Sequence, residues 1–431
     1  MTRSFRDRLE QALALINDSR GEGGRCCLTL YTDAARAAAD AADARAKAGL
    51  SLGPLDGMVI TIKDLFDVKG EVTRAGSKVL AEEGKPAQAD APVVRRLRAA
   101  GAVIVAKTNM TEFAFSALGL NPHYGTPGNP ADRARVPGGS SSGAAVAIAE
   151  GMCEIGIGSD TGGSTRIPAV LCGITGFKPS KQRVPAEGAF PLSFTLDSVG
   201  PMAKSVAHCA AADAIMAGEE PHDIASPPAR GLRLGIASGF PVEKLDDTVA
   251  AAWKEALVTL ERAGVCLSEE KIGLLDEMAA IVARLWLPQP EALAIHRDRL
   301  ARRGADIDPM VRMRIERAAT MTAADYVAVI EARKRLVGAM RERLDHLDGL
   351  IMPTVPIVAP LIADCRTAEG YAANNLALLR NTAIANFFDL CALTLPLPRR
   401  GLPAGLMIMA RNGDDRRLLR AGAALERVLA G

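Results

Sequence analysis

The chain has 431 residues, 48% hydrophobic, 4% aromatic and 24% charged, which is enough apolar material to bury a large core. Its formal net charge is only +2, so it lacks the basic face that nucleic-acid binding requires, and its few aromatics leave few platforms for stacking bases. No apolar run approaches the roughly 18–20 residues needed to span a bilayer, which excludes a membrane-spanning helix.

Arg3, Arg6, Asp7, Arg8 and Glu10 interrupt the N-terminal stretch, so it does not read as a secretory signal. The eight cysteines show no Cys-x-x-Cys spacing of a zinc or redox site and sit mostly in apolar runs. Buried thiols in a reducing, cytoplasmic setting are the expectation, with no membrane partner and no direct nucleic-acid partner.

In chain order, Ser4 caps a helix that carries Phe5, Leu9, Leu13 and Ile16 on one face. An Ala-rich helix follows over 34–48. The Gly53-Pro54-Leu55-Asp56-Gly57 break leads to an apolar strand over 58–62, covered on both faces, with Lys63 directly after it. Asp90 and Pro92 open a helix through Arg98, and a strand follows over 102–106. Two glycine-rich turns come next, each leading into an apolar run of helical length at 144–150 and 167–172.

A helix over 206–216 precedes a linker over 218–231 that contains Pro221, Pro227 and Pro228. Residues 232–237 read as a strand, 247–263 as an amphipathic helix and 265–267 as a strand. From 274 to 344 the chain is helical and dense in Arg and Glu, including Arg297-Asp298-Arg299 and the run 312–317. Such runs form solvated faces, and the segment is also placed to roof a substrate pocket. Residues 350–352, 393–395 and 406–409 read as buried strands, and Asp414 or Asp415 caps a last helix through Leu429. Alternation of helix, glycine and strand is the pattern of layered α/β architecture.

The two turns are Pro137-Gly138-Gly139-Ser140-Ser141-Ser142-Gly143 and Gly158-Ser159-Asp160-Thr161-Gly162-Gly163-Ser164-Thr165-Arg166. Glycine permits positive φ and close approach, and a following helix start presents unpaired N–H groups, so each turn suits an anion or an oxyanion. Either alone also reads as an ordinary loop. Neither has the Gly-Lys-Ser/Thr ending of a P-loop. Gly139-Ser140-Ser141-Ser142-Gly143 fits the spacing of a nucleophile elbow, but His296 and His346, the late histidines, lie in charged helical stretches.

Taken together, the turns and Lys63 in Val59-Ile60-Thr61-Ile62-Lys63-Asp64 resemble the amidase signature family, which reads Gly-Gly-Ser-Ser-x-Gly and then Asp-x-Gly-Gly-Ser-x-Arg after a strand-end lysine. The resemblance continues through Lys107–Phe113, Gly176-Phe177-Lys178-Pro179, Leu196–Pro201, Met352-Pro353-Thr354 and Gly401–Leu406. It implies one large α/β/α domain with a mixed central sheet over 1–431, a catalytic core at about 55–215 and a helical substrate-side insertion at about 270–345.

By the same resemblance Lys63 is the base, Ser140 the proton shuttle behind a cis Gly139–Ser140 peptide, and Ser164 the nucleophile. The N–H groups of Thr161, Gly162, Gly163 and Ser164 hold the oxyanion. Ser141 and Asp160 support the site, and Arg166 either supports the turn or contacts substrate. The reaction implied is hydrolysis of a carboxamide C–N bond through an acyl-enzyme, with no metal or other cofactor, on a small-molecule amide.

A lysine base must fall from about 10.4 to near 7–8, on the order of 4 kcal/mol, and a position at the end of an apolar strand suits this. The alternative for Lys63 is a salt bridge with Asp64 or Asp160. Three functional readings stay open: a free-standing amidase, with a homodimer entertained; the glutaminase-type A subunit of a tRNA-dependent amidotransferase; and a non-catalytic small-molecule or anion binder. The tract Pro179-Ser180-Lys181-Gln182-Arg183-Val184-Pro185 departs from the Thr-Tyr-Gly-Arg-Val-Ser usual in that amidotransferase component. Phe115, Leu118, Phe190 and Ile384 line a pocket or belong to the core.

Overall fold

A computed structural model describes residues 3–221, 224, 228–398 and 401–430. Among them eleven strands form one mixed sheet. In chain order they are β1 (Cys27–Leu30), β2 (Val59–Lys63), β3 (Val103–Thr108), β4 (Ile155–Asp160), β5 (Thr175–Lys178), β6 (Ser198–Ala203), β7 (Arg233–Ala237), β8 (Cys266–Glu270), β9 (Gly349–Pro353), β10 (Cys391–Pro396) and β11 (Gly405–Ala410). Their order across the sheet is β1-β3-β2-β4-β6-β5-β10-β11-β9-β7-β8. The triplets β3-β2-β4 and β9-β7-β8 are parallel, and every other neighbouring pair is antiparallel.

Side chains alternate across a strand, so each strand sends residues to both faces of the sheet. On β2 and β3, Ile60, Ile62 and Ile104 join one cluster, while Val59, Val103 and Val105 join another with Ala144, Val146 and Ile148. On β9 and β11, Ile351 and Ile408 go one way, and Leu350, Met352, Met407 and Met409 the other. Helices cover both faces, which makes a single α/β domain with the large mixed sheet expected from sequence. No helix among the described residues is long and apolar enough to cross a membrane.

The first helix runs Phe5–Asn17 behind Ser4, whose hydroxyl accepts from Asp7 N in a capping box. The Ala-rich helix is Thr32–Lys47. Four helices fill the charged segment: Gly273–Arg284, Pro288–Arg303, Pro309–Glu316 and Ala323–Arg343.

Several expectations are corrected. Lys63 is the last residue of β2 and does not follow it. Asp90 does not cap Pro92–Ala99, because Ala91 holds that position and the Asp90 carboxylate accepts from Lys69 N and Arg98. The helix Gly23–Cys26 and strand β1 have no counterpart in the sequence reading; β1 is an edge strand too short to show alternation. The thiols are free and buried except Cys266, which is exposed. Gly218 ends Val206–Ala217 in the left-handed region, at φ 81°, and the expected linker includes residues 222, 223 and 225–227, which lie outside the described residues.

The last helix is Asp415–Ala430. The carboxylate of Asp415 accepts from Ser180 N and Oγ, which leaves Asp414 in the position before the first turn.

Candidate active site

Alternation along β2 puts Lys63 on the face of Val59, beneath the start of the helix Ser142–Ala149. Its Nζ lies 2.7 Å from Ser140 Oγ and 2.9 Å from Ser159 Oγ. Two glycines of β4 allow this close packing. A Cβ on Gly156 would come 3.0 Å from Ala144 Cβ, and one on Gly158 2.7 Å from Ser141 Oγ. The helix and its serine turn therefore rest on bare strand backbone. The Gly139–Ser140 peptide is cis, and the turn is pinned by Gly139 N to Ala117 O (2.7 Å) and Thr111 N to Ser140 O (3.1 Å). Ser141 Oγ donates to Ser159 O at 3.5 Å, which ties the two turns together.

Lys63 is fully buried. Burial lowers its amine from 10.5 to about 7, against the opposing pull of the Asp160 and Asp197 carboxylates. The salt bridge considered for it does not form, since Asp64 pairs with Arg74 at 3.2 Å and Asp160 with Arg166 at 2.9 Å. Among the described residues Lys63 thus contacts two hydroxyls and no anion, an environment that favours the uncharged amine.

Asp160, at the end of β4, organises the second turn. Its carboxylate accepts from Thr165 N (3.1 Å), Thr165 Oγ1 (2.9 Å), Arg166 Nε (3.1 Å), Arg166 Nη2 (2.9 Å) and Asn386 Nδ2 (2.8 Å). Burial raises this carboxyl, but Arg166, Asn386 and Lys178 outweigh it and hold Asp160 well below the ordinary carboxylate range. Arg166 also donates to Thr382 O (2.9 Å) and Asn386 Oδ1 (2.7 Å), and it is 0% exposed. All three nitrogens of its guanidinium are thus hydrogen-bonded within the protein.

Thr382 Oγ1 donates to Gly162 O at 2.6 Å. Gly163 sits at φ 140°, and a Cβ there would fall 2.3 Å from Thr382 Oγ1. So clamped, the turn leaves the N–H groups of Thr161, Gly162, Gly163 and Ser164 without a hydrogen-bond acceptor among the described residues. Thr161 Oγ1 donates to Asp197 Oδ1 at 2.5 Å, and Asp197 Oδ2 accepts from Leu192 N (2.9 Å) and Ser193 N (3.0 Å). Burial raises the Asp197 carboxyl, while these donors oppose it.

Ser164 is 6% exposed, and its hydroxyl has no hydrogen-bond partner among the described residues. It lines a small cavity of about 20 Å³ with Thr161, Gly162, Phe115, Trp286, Arg314 and Leu379. Lys63 and Ser140 are therefore in direct contact, whereas Ser140 and Ser164 are not hydrogen-bonded to each other. Phe115 lines this cavity, and Phe190 lines another of about 520 Å³ with Ser159 and Asp197. Leu118 and Ile384 are core residues.

His123 sits 3.1 Å from Glu112, and His296 packs its ring against Phe113 at 4.0 Å. Neither belongs to this site. No group of three His, Cys, Asp or Glu is arranged to hold a metal among the described residues.

Sequence reasoning missed Thr382 and Asn386, on the helix Ala368–Phe387, and gave Asp197 no role. A signal was present: Thr382 and Asn386 stand four apart with only Ala383, Ile384 and Ala385 between them, so they share one helix face and need partners where that face is buried.

A family model described as amidase matches residues 7–419. The 2-amino-5-chloromuconic acid deaminase of Comamonas testosteroni is 36% identical over 401 residues, covering 92% of this chain and 86% of that protein. The A subunit of the glutamyl-tRNA(Gln) amidotransferase of Chloroflexus aurantiacus is 36% identical over 464 residues, covering 97% and 92%. Among solved structures, a crystal structure of an amidase superimposes with a TM-score of 0.88 at 32% identity, covering 99% of this chain and 96% of that one.

Proposed function

The chain belongs to the amidase signature family, and from that premise we propose how its residues divide the work of cleaving an amide. The reaction class is hydrolysis of an amide C–N bond. An amide carbon is a poor electrophile, so the site must supply an activated nucleophile, a proton path and a place for the oxyanion.

In our reading neutral Lys63 takes the proton of Ser140, Ser140 takes that of Ser164, and Ser164 Oγ attacks the carbonyl carbon. Negative charge moves onto the carbonyl oxygen, which the free N–H groups of Thr161, Gly162, Gly163 and Ser164 receive. Loss of one such donor typically costs about 10²–10³ in rate. The tetrahedral adduct collapses as the C–N bond breaks, and the relay returns a proton to the leaving ammonia or amine. Water then attacks the acyl-enzyme, surrenders its proton along the same relay, and the carboxylic acid departs. The Ser140 to Ser164 hydrogen bond closes in the substrate complex, as catalytic contacts commonly tighten there.

One observation carries this reading. A fully buried lysine held near 7 lies 2.7 Å from Ser140 Oγ, and simple anion binding has no use for that pair. The reaction needs only one chain in this reading, with a homodimer the assembly entertained and 270–345 the substrate-side segment. Treatment of the isolated chain with a fluorophosphonate, followed by mass spectrometry, should place one adduct on Ser164, and primary amides should release ammonia. Absence of both would leave the binder reading. Ammonia release only from glutamine, and only with added partner proteins, would select the amidotransferase reading.

A further inference from the structure

Glu291 stands one turn into the helix Pro288–Arg303. It is only 3% exposed, and among the described residues its carboxylate has hydroxyl and amide donors around it but no cation within ion-pair distance. Oε2 accepts from Ser193 Oγ and from Thr195 N (3.1 Å), and Oε1 accepts from Thr195 Oγ1 and from Tyr326 Oη (2.8 Å). Three of these donors belong to one loop, and the fourth to the helix Ala323–Arg343. A buried carboxylate without a counter-charge is tolerated only where such donors hold it, so the carboxylate and the loop fix each other.

That loop meets the candidate active site at two points. Leu192 lines the cavity at Ser164, and so do Trp286 and Pro288 at the start of the helix that bears Glu291. The carboxylate therefore joins two walls of one cavity. The second point is Asp197, whose Oδ2 accepts from Leu192 N and Ser193 N and whose Oδ1 accepts from Thr161 Oγ1 at 2.5 Å. Ser193 is shared: Asp197 holds its N–H and Glu291 its hydroxyl. An unbroken chain of contacts thus runs from Glu291 through Ser193 and Asp197 to Thr161, the first of the four residues whose N–H groups have no acceptor among the described residues. Leu196, Leu285 and Leu287, buried in one apolar cluster, pack the loop against the same helix start, which leaves the chain little freedom to rearrange.

We propose that Glu291 is a positioning residue for the oxyanion turn: through Ser193 and Asp197 it fixes Thr161, and with Thr161 the N–H groups that meet the developing negative charge. The inference rests on Ser164 being the nucleophile, and it adds a residue from outside both glycine-rich turns. A donor contributes only where it points at the oxyanion, and a displacement of about 1 Å far from the chemistry can cost on the order of 10² in rate. Glu291 touches no reacting atom, so its removal acts on the chemical step and not on ground-state affinity.

Glu291→Met removes all four contacts at nearly equal size. Glu291→Gln keeps them, since its oxygen accepts from Ser193 Oγ and Thr195 N while its amide group donates to the hydroxyls of Thr195 and Tyr326, which turn to accept. The probe is a fluorophosphonate, whose phosphonyl oxygen needs the same N–H groups, and the measured quantity is the saturating rate of Ser164 modification by mass spectrometry. Glu291→Met should lower that rate on the order of 10²-fold with the half-saturating concentration within about threefold of the parent, and Glu291→Gln should restore the rate to within about fivefold. Glu291→Asp, which draws the carboxylate back by one methylene, should fall between them and takes the place of Glu291→Met if that chain does not fold. Thr161→Val cuts the other end of the chain of contacts, so adding it to Glu291→Met should slow the reaction little beyond the worse single variant. An undiminished rate in Glu291→Met, or losses that multiply in the double variant, overturns the proposal.

A second readout does not depend on reaction. Hydrogen exchange followed by mass spectrometry should run faster in Glu291→Met than in the parent for the peptides over 192–197 and over 161–165, with the central strands unchanged. Faster exchange confined to 192–197 overturns the inference, because Glu291 then holds only its own loop. Exchange coupled at both peptides with no Ser164 adduct on the parent chain keeps the strut and sinks the hydrolytic reading, while a labelled parent whose rate ignores Glu291 does the reverse.

Discussion

In the proposed mechanism Lys63 ties the rate and the stability of this protein to the same proton. Its amine falls from 10.5 to about 7 on burial, a difference of about 3.5 that corresponds to about 5 kcal/mol at 1.36 kcal/mol per pH unit. Below pH 7 the lysine is protonated in both the folded and unfolded chain, and the folded state bears that whole cost. Between 7 and 10.5 the folded amine is neutral while the unfolded one still binds its proton, so stability rises with pH. Above 10.5 the cost is gone.

Lys63→Met removes the titration and keeps most of the volume. Integrated from pH 7 to 9, the parent should gain about 2 kcal/mol relative to Lys63→Met, measured as the change in urea unfolding free energy at each pH. The constant effect of leaving Ser140 and Ser159 without the amine cancels in that comparison. On the parent chain kcat/KM should climb about tenfold per pH unit below 6 and level off above 8. An unfolding difference flat from pH 7 to 9, together with a rate profile that has no limb between pH 6 and 8, would refute the assignment of a neutral amine.

Ser164→Ala should lower kcat by at least about 10⁴ and leave the thermal midpoint near that of the parent, because the lost hydroxyl makes no hydrogen bond to the described residues; scanning fluorimetry and ammonia release check both. Gly163→Ala forces a Cβ onto Thr382 Oγ1 at φ 140° and should cost about 1–3 kcal/mol in urea unfolding while displacing the N–H groups to which the proposed mechanism assigns the oxyanion. Asp160→Asn strands Arg166 without its buried counter-charge, at about 3–5 kcal/mol. Because Asp160 heads the charges that raise the Lys63 amine, any active Asp160→Asn protein should show its rate limb at lower pH than the parent.

The sheet and the two turns were legible in sequence for a local reason. Strands buried on both faces, such as β2 and β3, read as unbroken apolar runs, and glycine with serine at a strand end marks a turn whatever lies across from it. What escaped was the set of contacts that cross the chain. Arg166 meets Thr382 and Asn386, 216 and 220 residues away, and no local pattern predicts that Ala368–Phe387 would lie over the Asp160 turn.

Arg314 was misjudged for a related reason. In sequence it is one charge in the run 312–317, and neighbours such as Arg317 are indeed exposed. Which member of a charged run turns inward depends on the register of its helix against the rest of the fold, and Pro309–Glu316 is too short to fix that register by its own periodicity. The polar residues that escaped the sequence reading are therefore those whose burial the local pattern leaves unexplained. Thr382 and Asn386 find their partners within the protein, whereas the buried Nε of Arg314 finds none among the described residues.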